Sequence, residues 1–230
     1  MTTFALDTAT PDPALALVAD EGVVAEAVLG RVPGGGRRVL EAAHHLLAMA
    51  GQDPADLDEI VVGVGPGGFT GIRIGIATAL GLGQGLGIPV RGASTLEALA
   101  LGLSAAGDSP DVALAPVIDA RRGQVFAAAY AMGPDGALDT VIAPAAWNPV
   151  AFAAALGGMG PALVAGDGAD LVTLPPRARR APAQPFDRIA ASRLVQRVRA
   201  GGERPVVPEY LRLPDAEENR LRRLREGAPA

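Results

Sequence analysis

The chain has 230 residues, a formal net charge of -5 and no cysteine. That length allows one large domain or two lobes with real cores. The acid excess argues against nucleic acid as a stand-alone partner, and the missing thiols exclude disulfides, cysteine-held zinc and thiol catalysis. All 20 basic residues are arginine, which excludes Schiff-base and lysine-dependent phosphoryl chemistry.

The opening, MTTFALDTATPD, has neither a basic region nor a long apolar run, so it does not read as a signal peptide. No uninterrupted apolar stretch is long enough to span a membrane, and a cytoplasmic protein is expected. Thr3 to Thr8 reads as a short strand ending in Asp7-Thr8-Ala9-Thr10. After the Pro11-Asp12-Pro13 turn, Ala14 to Ala19 and Val23 to Leu29 form two more strands around an Asp20-Glu21-Gly22 hairpin. The Asp and Thr side chains at the first tip suit a phosphate or metal contact; the other reading, a set of side-chain-capped turns, is the commoner use of these residues.

Val32 to Gly36 is a glycine-rich link. Arg37 to Ala50 follows as a helix, with Val39, Leu40, Ala43, Leu46, Leu47 and Ala50 on one face. His44 and His45 lie on the other face, and neighbours 100° apart cannot chelate one metal as an i, i+4 pair does. No metal and no cofactor is expected. Asp53 to Leu57 is a capped turn, and Glu59 to Val64 a buried strand rich in β-branched residues.

Gly65-Pro66-Gly67-Gly68 then breaks the strand, and a glycine-studded helix runs from Phe69 to Gly87 with Thr70 placed to cap it. Backbone N–H groups converge at such a junction, so an anion site is one reading. Gly63-x-Gly65-x-x-Gly68 matches a dinucleotide fingerprint in letters, but no acidic residue follows about 20 positions on. A phosphate loop is excluded by the absent lysine. The third reading is a tight turn whose glycines allow close packing. Pro89-Val90 is a short fifth strand, and Ser94 caps a helix from Thr95 to Leu103 with Glu97 completing a capping box.

Three meandering strands followed by alternating helices and strands predict a mixed sheet covered by helices. That is the lobe order of the ribonuclease-H-like, actin/Hsc70-like (ASKHA) superfamily. Ala105 to Asp111 marks a boundary, giving an N-terminal lobe over 1–104 and a C-terminal lobe over 105–230. The second lobe again opens with three strands: Val112–Ile118, Gln124–Ala131 and Leu138–Ile142. Asp119 stands where Asp7 stood. A helix near Pro149–Leu156, a strand at Ala162–Ala165, a Pro- and Arg-rich loop from Pro175 to Pro185, a helix capped by Asp187 and a charged tail at Ala216–Arg225 complete the chain.

Five stretches carry a family resemblance: Leu6-Asp7-Thr8-Ala9-Thr10, Gly65 to Gly75 (GPGGFTGIRIG), Ser94-Thr95-Leu96-Glu97, Ile118 to Val125 (IDARRGQV) and Tyr210-Leu211-Arg212. On these the chain resembles the TsaB (YeaZ) family, whose members help to make N6-threonylcarbamoyladenosine on tRNA. Two departures stand out. Gly68 replaces a usual Ser, and Gly35-Gly36-Arg37-Arg38 stands where the family opens its first helix with a His-Ser or His-Thr pair. The resemblance implies a non-catalytic accessory subunit that binds and activates TsaD through the helices at 37–50 and 71–87. TsaE would join a larger complex, tRNA would be met only through that complex, and no membrane would be involved; when TsaD is absent, homodimer and monomer both stay open. Asp7, Thr8, Gly67, Gly68, Asp119 and Arg121 would then line a vestigial cleft or nucleotide site. The alternative is a self-sufficient ASKHA hydrolase or phosphotransferase with Asp7 and Asp119 as its candidates.

The helix after the glycine loop is apolar nearly all round. Gly71, Gly75, Ala79 and Gly83 form a small-residue seam beside Ile72 and Ile76. Such seams admit a second helix. Together with Val39, Ala43, Leu46 and Leu47 they are the expected partner interface; the competing expectation is that the seam packs on the protein's own sheet.

Overall fold

The computed structural model describes residues 1–30, 35–106, 111–133 and 136–212. The link at 32–34, the middle of the lobe boundary at 107–110, turn residues 134 and 135, and the charged tail at 216–225 lie outside the described residues.

Five strands build the first sheet: β1 (Thr3–Asp7), β2 (Ala14–Ala19), β3 (Gly22–Val28), β4 (Glu59–Gly63) and β5 (Val90–Ala93). Their order is β3-β2-β1-β4-β5. The first three pair antiparallel, and β4 and β5 add parallel. Parallel additions need crossovers, and α1 (Gly35–Met49), α2 (Phe69–Leu86) and α3 (Thr95–Ser104) occupy the long connections of this half. The second sheet repeats the plan with β6 (Ala113–Arg121), β7 (Gln124–Met132), β8 (Leu138–Trp147), β9 (Ala162–Ala165) and β10 (Ala178–Arg180), in the order β10-β9-β6-β7-β8. Helices α4 (Pro149–Gly157), one-turn α5 (Ala183–Phe186) and α6 (Ser192–Arg199) are the remaining helices among the described residues.

Strand alternation decides which helix lies where. Phe4, Leu6, Leu15, Leu17, Ile60 and Val62 face α1 and α2. Ala5, Ala14, Ala16 and Val61 face the other way, onto α3 and α6. Small side chains on that face let the two helices lie close to the strands. The far side of α3 and α6 is covered by Leu114, Ile118, Phe126, Tyr130 and Leu163 of the second sheet. α3 is therefore enclosed by both sheets, which is why it is apolar nearly all round. Phe152 and Leu156 of α4 close the outer face of the second sheet.

Several expectations are corrected. Gly68, not Thr70, is the N-cap of α2, and it offers no side-chain bond. Ser94 Oγ does accept from Glu97 N at the N-terminus of α3, at 3.5 Å. The Glu97 carboxylate does not return the bond, because Arg197 Nε and Arg204 Nη2 each hold it at 2.6 Å. β8 runs past Ile142 to Trp147, since it is an edge strand and Pro144 breaks no sheet interior there. The segment read as a loop from Pro175 to Pro185 contains β10. Asp187 does not open the last helix but closes α5 as its C-cap; its carboxylate accepts from Gly166 N at 2.9 Å and from Arg180 Nη1 and Nη2 at 2.6 and 2.8 Å. α6 begins later, at Ser192, and it packs on strands of the first sheet. The first sheet takes its strands from residues 3–93 and the second from 113–180, while α6 packs on the first sheet.

Candidate functional site

The site grows from the ends of β1 and β4. Gly63 closes β4 directly beside Asp7, and a Cβ at Gly63 would overlap the Asp7 carboxylate. At Gly67 and Gly71 a Cβ would overlap the carbonyls of Ala9 and Thr8. Hydrogen bonds fix the approach: Gly68 N donates to Ala9 O at 2.7 Å, and Thr8 Oγ1 donates to Gly71 O at 2.7 Å. The glycines are thus needed for backbone-on-backbone packing.

Asp7 is fully buried. Its Oδ1 accepts from Ala9 N at 2.8 Å and its Oδ2 from Thr95 Oγ1 at 2.7 Å. Burial pushes its pKa above the usual carboxylate range, and these hydrogen bonds oppose the rise. Asp119 holds the matching position on β6 and remains partly exposed. Its carboxylate accepts from Arg121 N at 2.7 Å and from Arg121 Nη1 at 3.0 Å. The adjoining β6–β7 turn has left-handed φ at Arg122 (56°) and Gly123 (71°), the geometry of a tight two-residue hairpin.

Between the two tips lies a cavity of about 600 Å³. Thr8, Gly67, Gly68, Asp119 and Arg121 line it; Asp7 does not, being sealed beneath the loop. Sequence reasoning did not assign Phe69, Phe126, Glu209, Tyr210 and Arg212 to this wall. Their one signal was that Phe69, Tyr210 and Arg212 fall within the family strings. Burial raises the pKa of the Glu209 carboxyl, with nearby Arg204 opposing, and among the described residues its Oε2 has no hydrogen-bond partner.

The expected interface residues face inward. Val39, Ala43, Leu46, Leu47, Ile72, Gly75, Ile76, Ala79 and Gly83 are buried, and Gly71 is half-buried under Thr8. A Cβ at Gly75 would overlap Thr8 Oγ1, and one at Gly83 would overlap Val90. The seam is pressed on the protein's own sheet, because two helices must share that one face. Leu40, expected on the buried face, is 48% exposed, as are Leu80 (46%) and Met49 (84%). Among the described residues no group of three His, Cys, Asp or Glu side chains is placed to hold a metal ion, and no helix is long and apolar enough to cross a membrane.

Two five-stranded sheets of one plan, meeting over a shared helical layer with a cleft at their strand tips, define a two-lobed ASKHA protein. A family model described as TsaD: tRNA N6-adenosine threonylcarbamoyltransferase matches residues 36–177. The chain is 38% identical over 142 residues to the tRNA threonylcarbamoyladenosine biosynthesis protein TsaB of Bacillus subtilis, a match covering 62% of this chain and 60% of that protein. It is also 38% identical over 221 residues to the Mycobacterium tuberculosis protein Rv3421c, covering 94% of each. YeaZ from Pseudomonas aeruginosa superposes with a TM-score of 0.73 at 26% identity, over 91% of this chain and 99% of that one. The chain belongs to the TsaB (YeaZ) family.

Proposed function

We propose that this protein works in the biosynthesis of N6-threonylcarbamoyladenosine on tRNA, as a non-catalytic subunit that binds and activates a TsaD-type transferase. The names of its relatives support the pathway. One observation carries the non-catalytic part: both strand-tip aspartates are already engaged. Asp7 is buried and accepts from Ala9 N and Thr95 Oγ1, and Asp119 is held by Arg121. A metal-assisted hydrolase or phosphotransferase needs such a carboxylate turned toward its substrate.

The partner docks on the outward side of α1 and α2. On α2, Leu80 exposes apolar surface on the side of Ala77 and Gln84, and on α1 Leu40 and Met49 are exposed on opposite flanks of the helix. This face replaces the inward seam as the interface. TsaE joins the larger assembly, tRNA is met only through it, and two copies of this chain share the same face when TsaD is missing.

The test is reconstitution. The purified chain with threonylcarbamoyl-adenylate and tRNA yields no modified adenosine; adding TsaD and TsaE from the same cell restores it, and this chain co-purifies with TsaD. The match to the TsaD model favours a second reading, a chain with transferase activity of its own. Modified adenosine from the chain alone selects that reading.

A further inference from the structure

Among the described residues beyond α6 none joins either sheet as a strand, apart from one isolated bridge between Arg204 and Gly92. Residues 203–212 run as a strap along the first lobe and end against the second. Pro205 and Pro208 lack the N–H that a strand or helix interior uses, and Glu203, Arg204, Pro205, Val207 and Tyr210 are exposed. The strap is pinned at points. Arg204 N donates to Gly92 O at 2.8 Å, and its guanidinium holds Glu97 at 2.6 Å. Glu209 N donates to Val64 O at 2.8 Å. The Tyr210 ring stacks on Phe69 with centroids 5.0 Å apart. Arg73 completes this clasp, donating from Nε to the Tyr210 hydroxyl at 2.8 Å while its guanidinium lies 3.8 Å over the Phe69 ring. Last, Arg212 Nη1 donates to Gln124 Oε1 of the second sheet at 3.1 Å.

The first lobe is shaped for this path. A Cβ at Gly92 would lie 2.7 Å from Arg204 O, and one at Gly65 would lie 2.9 Å from Glu209 O. Glu209, Tyr210, Leu211 and Arg212 form one wall of the cavity between the lobes.

We propose that this strap is a lid that opens locally over the inter-lobe cavity, with the Phe69–Arg73–Tyr210 clasp as its latch. The pins are unequal. At the Arg204 end a backbone bond and a charge-assisted bond to buried Glu97 act together, so that end is the hinge. At the Tyr210 end one backbone bond, from Glu209 N to Val64 O, is joined only by exposed or part-buried contacts: the Phe69–Tyr210 stack, the Arg73 bond and cation contact, and the Arg212 bond to Gln124, none of them to a buried charge. Opening also returns the unpartnered Glu209 Oε2 to water, which lowers its cost. The inference goes beyond the proposed function, since it concerns access to the cavity whatever protein docks on α1 and α2.

Amide hydrogen exchange on the full chain tests it, read residue by residue in the wild type, Tyr210→Ala and Tyr210→Phe. In the wild type the Glu209 amide exchanges faster than the α3 interior amides of Leu99 and Leu101, which open only with the whole molecule. Tyr210→Ala accelerates Glu209 by about tenfold or more, equivalent to about 1.4 kcal/mol, and leaves Leu99 and Leu101 unchanged. Tyr210→Phe keeps the stack, loses the Arg73 bond and gives a smaller acceleration. Three results overturn the proposal. Glu209 exchanges no faster than α3 in the wild type, which makes the strap core; Glu209 is unmoved in both variants, which leaves its backbone bond as the only fastener; or Leu99 and Leu101 accelerate together with Glu209.

Discussion

The two lobes share a strand order and a glycine device, but only one carries its loop into a long helix. In the first, the loop after β4 crosses the end of β1 and continues into α2, 18 residues long. In the second, the loop after β9 crosses β6 at Gly166 and Gly168. A Cβ at Gly168 would lie 2.6 Å from Asp119 N, and the chain then makes only a three-residue turn, Ala169–Leu171. The sheet plan explains the glycines, since a loop leaving the fourth strand must pass over the tip of the neighbouring first strand. It does not dictate the length of helix beyond the loop. The difference separates the aspartates: Asp7 is sealed under Gly63 and bonded to Thr95, while Asp119 stays partly exposed and is engaged by Arg121.

The sharpest break in the comparison is Gly71→Ala. Its Cβ would meet the Thr8 carbonyl, a backbone atom held by the sheet, and unfolding should show a loss of about 3 kcal/mol or more. Gly166→Ala, at φ 117° and facing Val117 O, should cost a similar amount in the other lobe. A mild Gly166→Ala would mean the device is not shared.

Next come the aspartates. Asp7→Ala strands the donors of Ala9 and Thr95 and should cost about 1–3 kcal/mol in denaturant unfolding. Asp119→Ala should cost less than about 1 kcal/mol, because the Arg121 side chain is 63% exposed. pH adds a separate signature. The Asp7 pKa is raised in the folded protein, so its contribution is full below the ordinary aspartate value of 3.8 and is lost as pH rises through the folded value. Asp7→Asn should flatten that part of the stability–pH curve, while Asp119→Asn leaves it in place.

The two sides of α2 give the third test. Ala79→Leu overpacks the buried seam and should cost about 1–3 kcal/mol of stability. Leu80→Arg, one residue on and exposed, should leave the melting temperature nearly unchanged and weaken TsaD capture. If these outcomes exchange places, the interface lies on the seam after all. The smallest effect is a gain. Gly85→Ala meets nothing within 4 Å and should stabilise the helix by about 0.5–1 kcal/mol.

The sheets were legible because local pattern encodes them. The β-branched run at Ile60–Val62 and the turns at Asp20–Gly22 and Arg121–Gly123 set strand positions that the structure keeps. Helix facing was harder to read. An apolar helix such as α2 has no contrasting face, so periodicity shows that it is covered without showing by what. The cavity wall was legible only in part, because Glu209, Tyr210 and Arg212 reach it from far along the chain. The Glu97 bonds to Arg197 and Arg204 span 100 and 107 residues, and no local rule links such partners. Asp7 was misplaced for a related reason: a carboxylate at a strand tip reads alike whether or not a distant Thr95 covers it.

The position of α6 also bears on how the chain is made. Ala5, Ala14, Ala16 and Val61 belong to the first part to leave the ribosome, yet Leu194 and Val195, which share their core, are translated more than a hundred residues later. At about 5–20 residues per second, that wait lasts several seconds at least. Through it, the alanine side of the first sheet has α3 but not α6. The N-terminal lobe, begun first, is finished last.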